Sequence, residues 1–255
     1  MKSSGDTSMK RNIRFTICYD GTRYSGWERQ KNTDATIQGK LEAVLSRLCE
    51  EPVTIIGAGR TDAGVHAREM TANALVSVSM SCGQIRDYMN TWLPEDICVL
   101  DAAEAGPRFH SRFNASGKTY CYTCYIGAAK PVFDRKYVTC LDQLPDVEAM
   151  RQAAEFLTGT HDFASFCGNP KMKKSTVRTI DSITITQKGD YLRFSFHGDG
   201  FLQNMVRILV GTLLETGFGK RLPDEMKSVL EAKNRALAGF MAPAQGLCLI
   251  AVDYN

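Results

Sequence analysis

The sequence predicts an α+β protein of two similar halves, each a mainly antiparallel sheet with helices on one face. Three observations lead there. Ile13, Phe15, Ile17 and Tyr19 alternate with Arg14, Thr16, Cys18 and Asp20, the period of a strand with one buried face. Ile37, Leu41, Val44, Leu45 and Leu48 then recur at helical spacing, and the strands that follow come in adjacent runs, not in the strict alternation of a doubly wound sheet. A similar order of strands and helices returns after Gly106-Pro107.

In order along the chain, residues 1–10 are a polar tail, and the first strand follows it. The next helix spans 36–49 and stops before Pro52. Residues 53–58 and 70–79 read as strands on either side of a loop in which Gly57, Gly59 and Gly64 allow backbone angles closed to other residues. A helix over 83–92 and a strand over 96–104 complete the first half, 11–106, and Gly106-Pro107 marks the linker to the second half, 107–255. There the pattern predicts a strand at 117–126, a helix at 146–157, strands at 178–187 and 190–198, and a helix at 203–217. Leu192, Phe194 and Phe196 alternate with Arg193, Ser195 and His197. Met205, Val206, Ile208, Leu209, Val210, Leu213 and Leu214 make the last of these helices apolar nearly all round, so it must be largely buried.

Hydrophobic residues at 44% and charged residues at 23% of 255 exclude a disordered or fibrous chain. Lys plus Arg number 31 against 28 Asp plus Glu, a net charge of +3, too balanced for charge alone to indicate a nucleic-acid partner. The local run Lys171, Lys173, Lys174 and Arg178 reads either as a phosphate-binding patch or as a solvated loop. Nine cysteines without a repeating framework point to a reducing cytosol and a cytoplasmic protein. The polar start from Met1 to Met9 lacks the apolar centre of a signal peptide, and no stretch has the length of a membrane span, so no membrane partner is expected.

The loop Gly59-Arg60-Thr61-Asp62-Ala63-Gly64-Val65-His66-Ala67 concentrates the chemistry. A carboxylate among glycines can be reached by a bulky ligand, and Arg60 could keep it ionised for covalent catalysis. On residue type alone, an aspartate that closes a turn is the better account of Asp62. No Gly-Lys-Ser/Thr follows the glycines, so this is not a phosphate-binding loop. His66 stands without partners at metal spacing, and Cys121 and Cys124 have no second pair and point to opposite faces of a strand, so no metal is expected. Arg207, inside the apolar helix, calls either for an acidic partner or for a path to the surface.

Several separate segments resemble the TruA family of tRNA pseudouridine synthases. They are Tyr19-Asp20-Gly21-Thr22 with Tyr24-Ser25-Gly26-Trp27, the Gly59–Ala67 loop, Lys118-Thr119-Tyr120, His161-Asp162-Phe163-Ala164-Ser165-Phe166, Phe201-Leu202-Gln203-Asn204-Met205-Val206-Arg207, and Ala242-Pro243-Ala244-Gln245-Gly246-Leu247. They run almost from end to end. Glu28 departs from the pattern, where the family commonly carries Gln.

The resemblance implies isomerisation of uridine to pseudouridine in the anticodon arm of tRNA, at positions 38, 39 and 40, with the active site in a cleft between the halves. It implies no metal or organic cofactor, and a homodimer that binds tRNA across both subunits. By motif, Asp62 is the nucleophile, Arg60 braces the flipped-out nucleotide, Tyr120 stacks on the uracil and can assist proton removal at C5, and Leu247 closes the pocket; the acidic partner that the burial of Arg207 calls for is then expected to be Asp62. Arg23, Arg29, Arg108, Arg112, Lys171, Lys173, Lys174 and Arg178 become candidate phosphate contacts. The rivals are a tRNA-binding protein of the same fold without turnover, and an aspartate-dependent glycosidic hydrolase, for which no motif nominates the second carboxylate.

Overall fold

A computed structural model describes residues 10–169 and 171–255. The polar tail up to residue 9 lies outside the described residues. The chain divides into two compact units, one running to Ala115 and taking in Asn255, the other spanning Ser116–Tyr254.

In the first unit, β1 (Arg11–Tyr19) pairs antiparallel with β3 (His66–Val76) on one side and β4 (Ile97–Glu104) on the other, and β2 (Ile55–Gly57) pairs with β3. Ile13, Phe15, Ile17 and Tyr19 are buried, as the alternation requires. Ile13 and Phe15 stand opposite Ala74 and Ala72 of β3, so bulky residues of one strand meet small ones of its neighbour. Helix α1 (Ile37–Cys49) starts at Thr36, whose side chain accepts from Gly39 N–H, and buries Ile37, Leu41, Val44 and Leu45. Its Glu42 is buried too. That carboxylate accepts from Ile55 N–H at 3.1 Å and from Gln38 Nε2 at 2.9 Å, which satisfies it while tying α1 to β2. Helix α2 (Cys82–Trp92) opens on a capping box between Ser81 and Gln84.

Strand β3 starts at His66, four residues before the expected 70. Arg68 and Glu69 are exposed there and interrupt the apolar pattern, yet backbone pairing with β1 continues to Tyr19 opposite Ala67 through a register shift. Gly106-Pro107 proves to be a turn within the first unit. The segment after it is fastened there by Asn12 Nδ2, which donates to the carbonyls of Gly106 at 3.0 Å and Phe109 at 2.9 Å.

In the second unit, β5 (Ala115–Tyr125) is followed by β6 (Thr139–Cys140), α3 (Val147–Glu155), β7 (Gly159–Asp162), β8 (Val177–Lys188), β9 (Tyr191–Gly198), α4 (Met205–Gly217), α5 (Glu225–Ala232) and β10 (Leu247–Tyr254). The strand order is β10-β5-β9-β8-β7, with β5, β9, β8 and β7 successively antiparallel and β6 parallel to β5. Gly189, at φ +55°, turns the β8–β9 hairpin. Helix α4 is buried on nearly every side, as its composition demands. Among the described residues, no helix is long and apolar enough to cross a membrane.

The His161–Phe166 segment serves this architecture. Phe163 and Phe166 are fully buried, and Ser165 Oγ donates to Val229 O of α5 at 2.6 Å while accepting from Asn234 N–H at 2.8 Å. Asp162 accepts from Thr176 Oγ1 at 2.5 Å and Ala164 N–H at 3.2 Å, and lies 3.0 Å from Lys233 Nζ. The Thr176 hydroxyl, and after it Lys233, hold this carboxyl below the usual range. A depressed carboxyl stabilises the fold above its unfolded value, about 3.9, and that contribution is lost as pH falls through the folded value. Asp162→Asn is therefore expected to lower the thermal midpoint at pH 7, with the gap to the parent protein closing below about pH 4. Melting curves between pH 2.5 and 7 check this; a gap that does not change with pH would exclude the carboxylate as its source.

Candidate active site

Two segments distant in sequence build one structure in the first unit. Residues 19–27 wrap the Gly59–Ala67 loop, and the bonds between them are mostly backbone. Trp27 N–H donates to Thr61 O at 3.0 Å, and Gly64 N–H donates to Tyr24 O at 3.3 Å. Tyr19 Oη and Thr61 Oγ1 share a buried hydrogen bond of 2.8 Å. Gly21 N–H donates to Nδ1 of the buried His66 at 3.1 Å, so His66 is held as a structural side chain. Among the described residues, no group of three or more His, Cys, Asp or Glu could hold a metal ion.

The glycines of the wrap are required by close approach. A Cβ on Gly57 would lie 2.5 Å from the indole of Trp27, and one on Gly26 would lie 2.8 Å from Thr61 O at a φ of +103°. Trp27 is 2% exposed and fills the space between β2 and the loop. Asp62 sits at the tip of this clasped loop, half-buried, its carbonyl accepting from Val65 N–H at 3.2 Å. The backbone of Asp62 thus closes a turn, and the residue is not fully buried.

Arg60 Nη2 lies 2.8 Å from Glu28 Oε1, with both side chains more than half exposed. In the sequence Glu28 stands out only as a departure from the family pattern; the structure makes it the acid that engages Arg60. Arg23 forms a two-nitrogen contact with Asp96 at 2.9 and 2.6 Å, and Arg29 reaches Glu42 at 3.3 Å. Arg178 donates to the carbonyl of Ser175 at 3.0 Å, while Lys171, Lys173 and Lys174 are exposed.

In the second unit, Tyr120 lies on β5 opposite Phe196, 8% exposed, with Phe201 edge-on at 5.2 Å. The Phe201–Arg207 segment crosses into α4 through Asn204, whose left-handed φ of +60° turns the chain. Arg207 is half-buried. Its Nε donates to Ala242 O at 2.8 Å, and Ala242 N–H donates back to Arg207 O at 3.1 Å, which joins α4 to the Ala242–Leu247 segment. Tyr122 Oη donates to Pro243 O at 2.9 Å, and its ring abuts Gly246, where a Cβ would come within 2.6 Å. Leu247, 5% exposed, follows directly. Cys121 and Cys124 are free thiols, and burial pushes that of Cys124 up to about 12.

A family model described as tRNA pseudouridine synthase matches residues 16–114 and 153–255. The chain belongs to that family. It is 44% identical over 244 residues to a protein of Clostridium kluyveri named tRNA pseudouridine synthase A, covering 96% of this chain and all of the relative. It is 42% identical over 243 residues to the protein of that name from a Bacillus species, covering 95% and 99%. For a member of this family, the clasp accounts for the Tyr-Asp-Gly-Thr and Ser-Gly-Trp segments: they hold the aspartate loop in shape. The stretch 115–152, outside the match, holds β5 and β6.

Gly26→Ala puts a methyl against the loop backbone at a φ that L residues rarely adopt. It is expected to cost about 1–3 kcal/mol of stability and to lower turnover at least tenfold, because it moves the backbone on both sides of Asp62. Thermal melts and steady-state kinetics on the same preparation test this; unchanged turnover would mean that the loop does not depend on the clasp.

Proposed function

We propose that this protein isomerises uridine to pseudouridine in tRNA, at positions 38, 39 and 40 of the anticodon arm, with Asp62 as nucleophile. The observation that carries the reading is the Asp62 loop itself, a half-buried aspartate on a backbone clasped from both sides, in a chain of the tRNA pseudouridine synthase family. The reaction breaks the N1–C1′ bond, forms C5–C1′ within the same nucleotide, and sends the C5 proton to N1 or to solvent. Nothing is oxidised or reduced, so the roles to be filled are those of nucleophile, base extraction and proton transfer.

Asp62 attacks the extracted nucleotide, at C6 of the base or C1′ of the ribose. Arg60 leaves Glu28 and braces the space vacated in the RNA; an exposed ion pair contributes only about 0–1 kcal/mol, so the exchange is inexpensive. Tyr120 stacks on the uracil and its hydroxyl assists removal of the C5 proton. Arg207, its plane set by the Ala242 carbonyl, supplies the cation that balances the Asp62 carboxylate, and Leu247 gives apolar contact to the base. Lys171, Lys173, Lys174 and Arg178, with Arg23 and Arg29 after release from their acids, contact phosphates. The protein acts in the cytoplasm as a homodimer.

Release of tritium from C5-labelled uridine in tRNA tests the nucleophile. Asp62→Asn, nearly isosteric but uncharged, is expected to abolish release while tRNA still binds; normal turnover would remove Asp62 from the role, and no release by the parent protein would leave a tRNA-binding protein without turnover. Arg207→Met is expected to lower turnover by at least tenfold while the thermal midpoint falls by only a few degrees. A stable variant with full turnover would refute the charge-balancing role.

A further inference from the structure

We propose that the segment 106–114 is a preorganised docking platform for RNA, with Phe113 as a stacking surface for an unpaired base and Arg108 and Arg112 as phosphate contacts. This rests on the reading of tRNA as substrate and adds a surface that the motif residues do not include.

The segment is anchored by its buried side and displays its aromatic and basic side chains outward. Beneath it, Asn12 and Asn73 form a hydrogen-bonded pair at 2.9 Å, and between them they hold the carbonyl of Phe109 and the N–H of Ser111. Ser111 is fully buried and its hydroxyl donates to Ile56 O at 2.5 Å, on β2, four residues before Arg60. Above, Nδ1 of His110 accepts from the backbone N–H groups of Arg112 at 3.2 Å and Phe113 at 3.3 Å, which fixes the plane of the imidazole. The ring of Phe113 lies on that imidazole at 4.2 Å and 28°. One face of Phe113 is therefore backed by a fixed ring, and the side chain is still 78% exposed.

The exposed phenyl ring sits on a segment whose backbone is held by buried side chains at Gly106, Phe109 and Ser111. Arg108 and Arg112 are both exposed, and among the described residues neither guanidinium has an ion-pair or hydrogen-bond partner. By contrast, Arg23, Arg29 and Arg60 all have carboxylate partners. A π-face flanked by two free guanidinium groups suits a base between two phosphates, since every base can stack and every nucleotide carries the charge. A second copy of this chain is a poorer occupant, because a two-fold contact through Phe113 would bring like charges together.

The test is binding of unmodified tRNA to the full chain, by anisotropy at several salt concentrations, with KM measured alongside. Phe113→Ala is expected to weaken binding about tenfold and to raise KM similarly, with kcat changing less. Phe113→Trp should stay within about twofold of the parent, and Phe113→Leu, apolar but without a π-face, should remain weak. Arg108→Ala and Arg112→Ala should each reduce the steepness of log K against log salt by about 1. Parent-like affinity and KM in Phe113→Ala overturn the proposal, as does a change of oligomeric state at unchanged tRNA affinity, which would make the platform a contact between copies. Absence of turnover in the parent protein would instead count against the isomerase reading.

Discussion

The site in the first unit depends on a backbone clasp. A nine-residue loop that is to present the proposed nucleophile would be of little use if it sampled many conformations, because a displacement of about 1 Å can cost a hundredfold in rate. Here the loop has no regular structure of its own between β2 and β3. Its shape comes from the 19–27 segment, through Trp27 N–H to Thr61 O, Gly64 N–H to Tyr24 O, and the buried Tyr19–Thr61 bond. The first two are main-chain bonds, whose close approach requires glycine at Gly21, Gly26 and Gly57, while the third depends on the hydroxyls of Tyr19 and Thr61. The clasp is itself tied down: Gln38 N–H donates to Trp27 O at 3.0 Å, and the buried Glu42 of α1 joins that helix to β2.

The second unit places its residues by a different device. Tyr120 belongs to a long central strand, where pairing with β9 fixes its backbone and Phe201 fixes its ring. Arg207 belongs to a helix buried nearly all round, where a mobile guanidinium would be costly; the reciprocal bonds with Ala242 satisfy it and stitch the Ala242–Leu247 segment to α4. The His161–Phe166 segment proves to be architectural, since its aspartate, serine and phenylalanines all serve the docking of α5. A motif can therefore mark a family through packing as firmly as through chemistry.

Periodicity alone makes most of the fold legible. The alternation in β1, the spacing in α1 and the all-round apolarity of α4 reflect burial directly, and burial is what those patterns encode. Elements without that pattern stay hidden: β7 is Gly-Thr-His-Asp, and α5 offers only Met226, Val229 and Leu230 in eight residues. The site is legible as a set of motifs, and residue chemistry by itself leaves Asp62 as a turn residue or a nucleophile. What sequence cannot reveal is which segments meet. The clasp joins residues some forty positions apart, and the Glu28–Arg60 pair depends on the same folding back of the chain; neither leaves a periodic trace.

That folding back also governs the electrostatics. With a net charge of only +3, the chain does not attract a polyanion by its overall field. Its cations fall into two groups. Arg23, Arg29 and Arg60 lie on or beside the clasp and are each matched by a carboxylate, whereas Arg108, Arg112 and Lys171, Lys173 and Lys174 are exposed. The pairing keeps these guanidinium groups oriented and limits repulsion among them. The Arg60–Glu28 pair is exposed on both sides and therefore weak, so a phosphate can replace Glu28 with little loss, whereas Asp96 and Glu42 are largely buried and release their arginines at greater cost. On the reading that tRNA is the substrate, the exposed cations meet RNA first, and exchange follows most readily at Arg60, whose acid Glu28 is itself exposed.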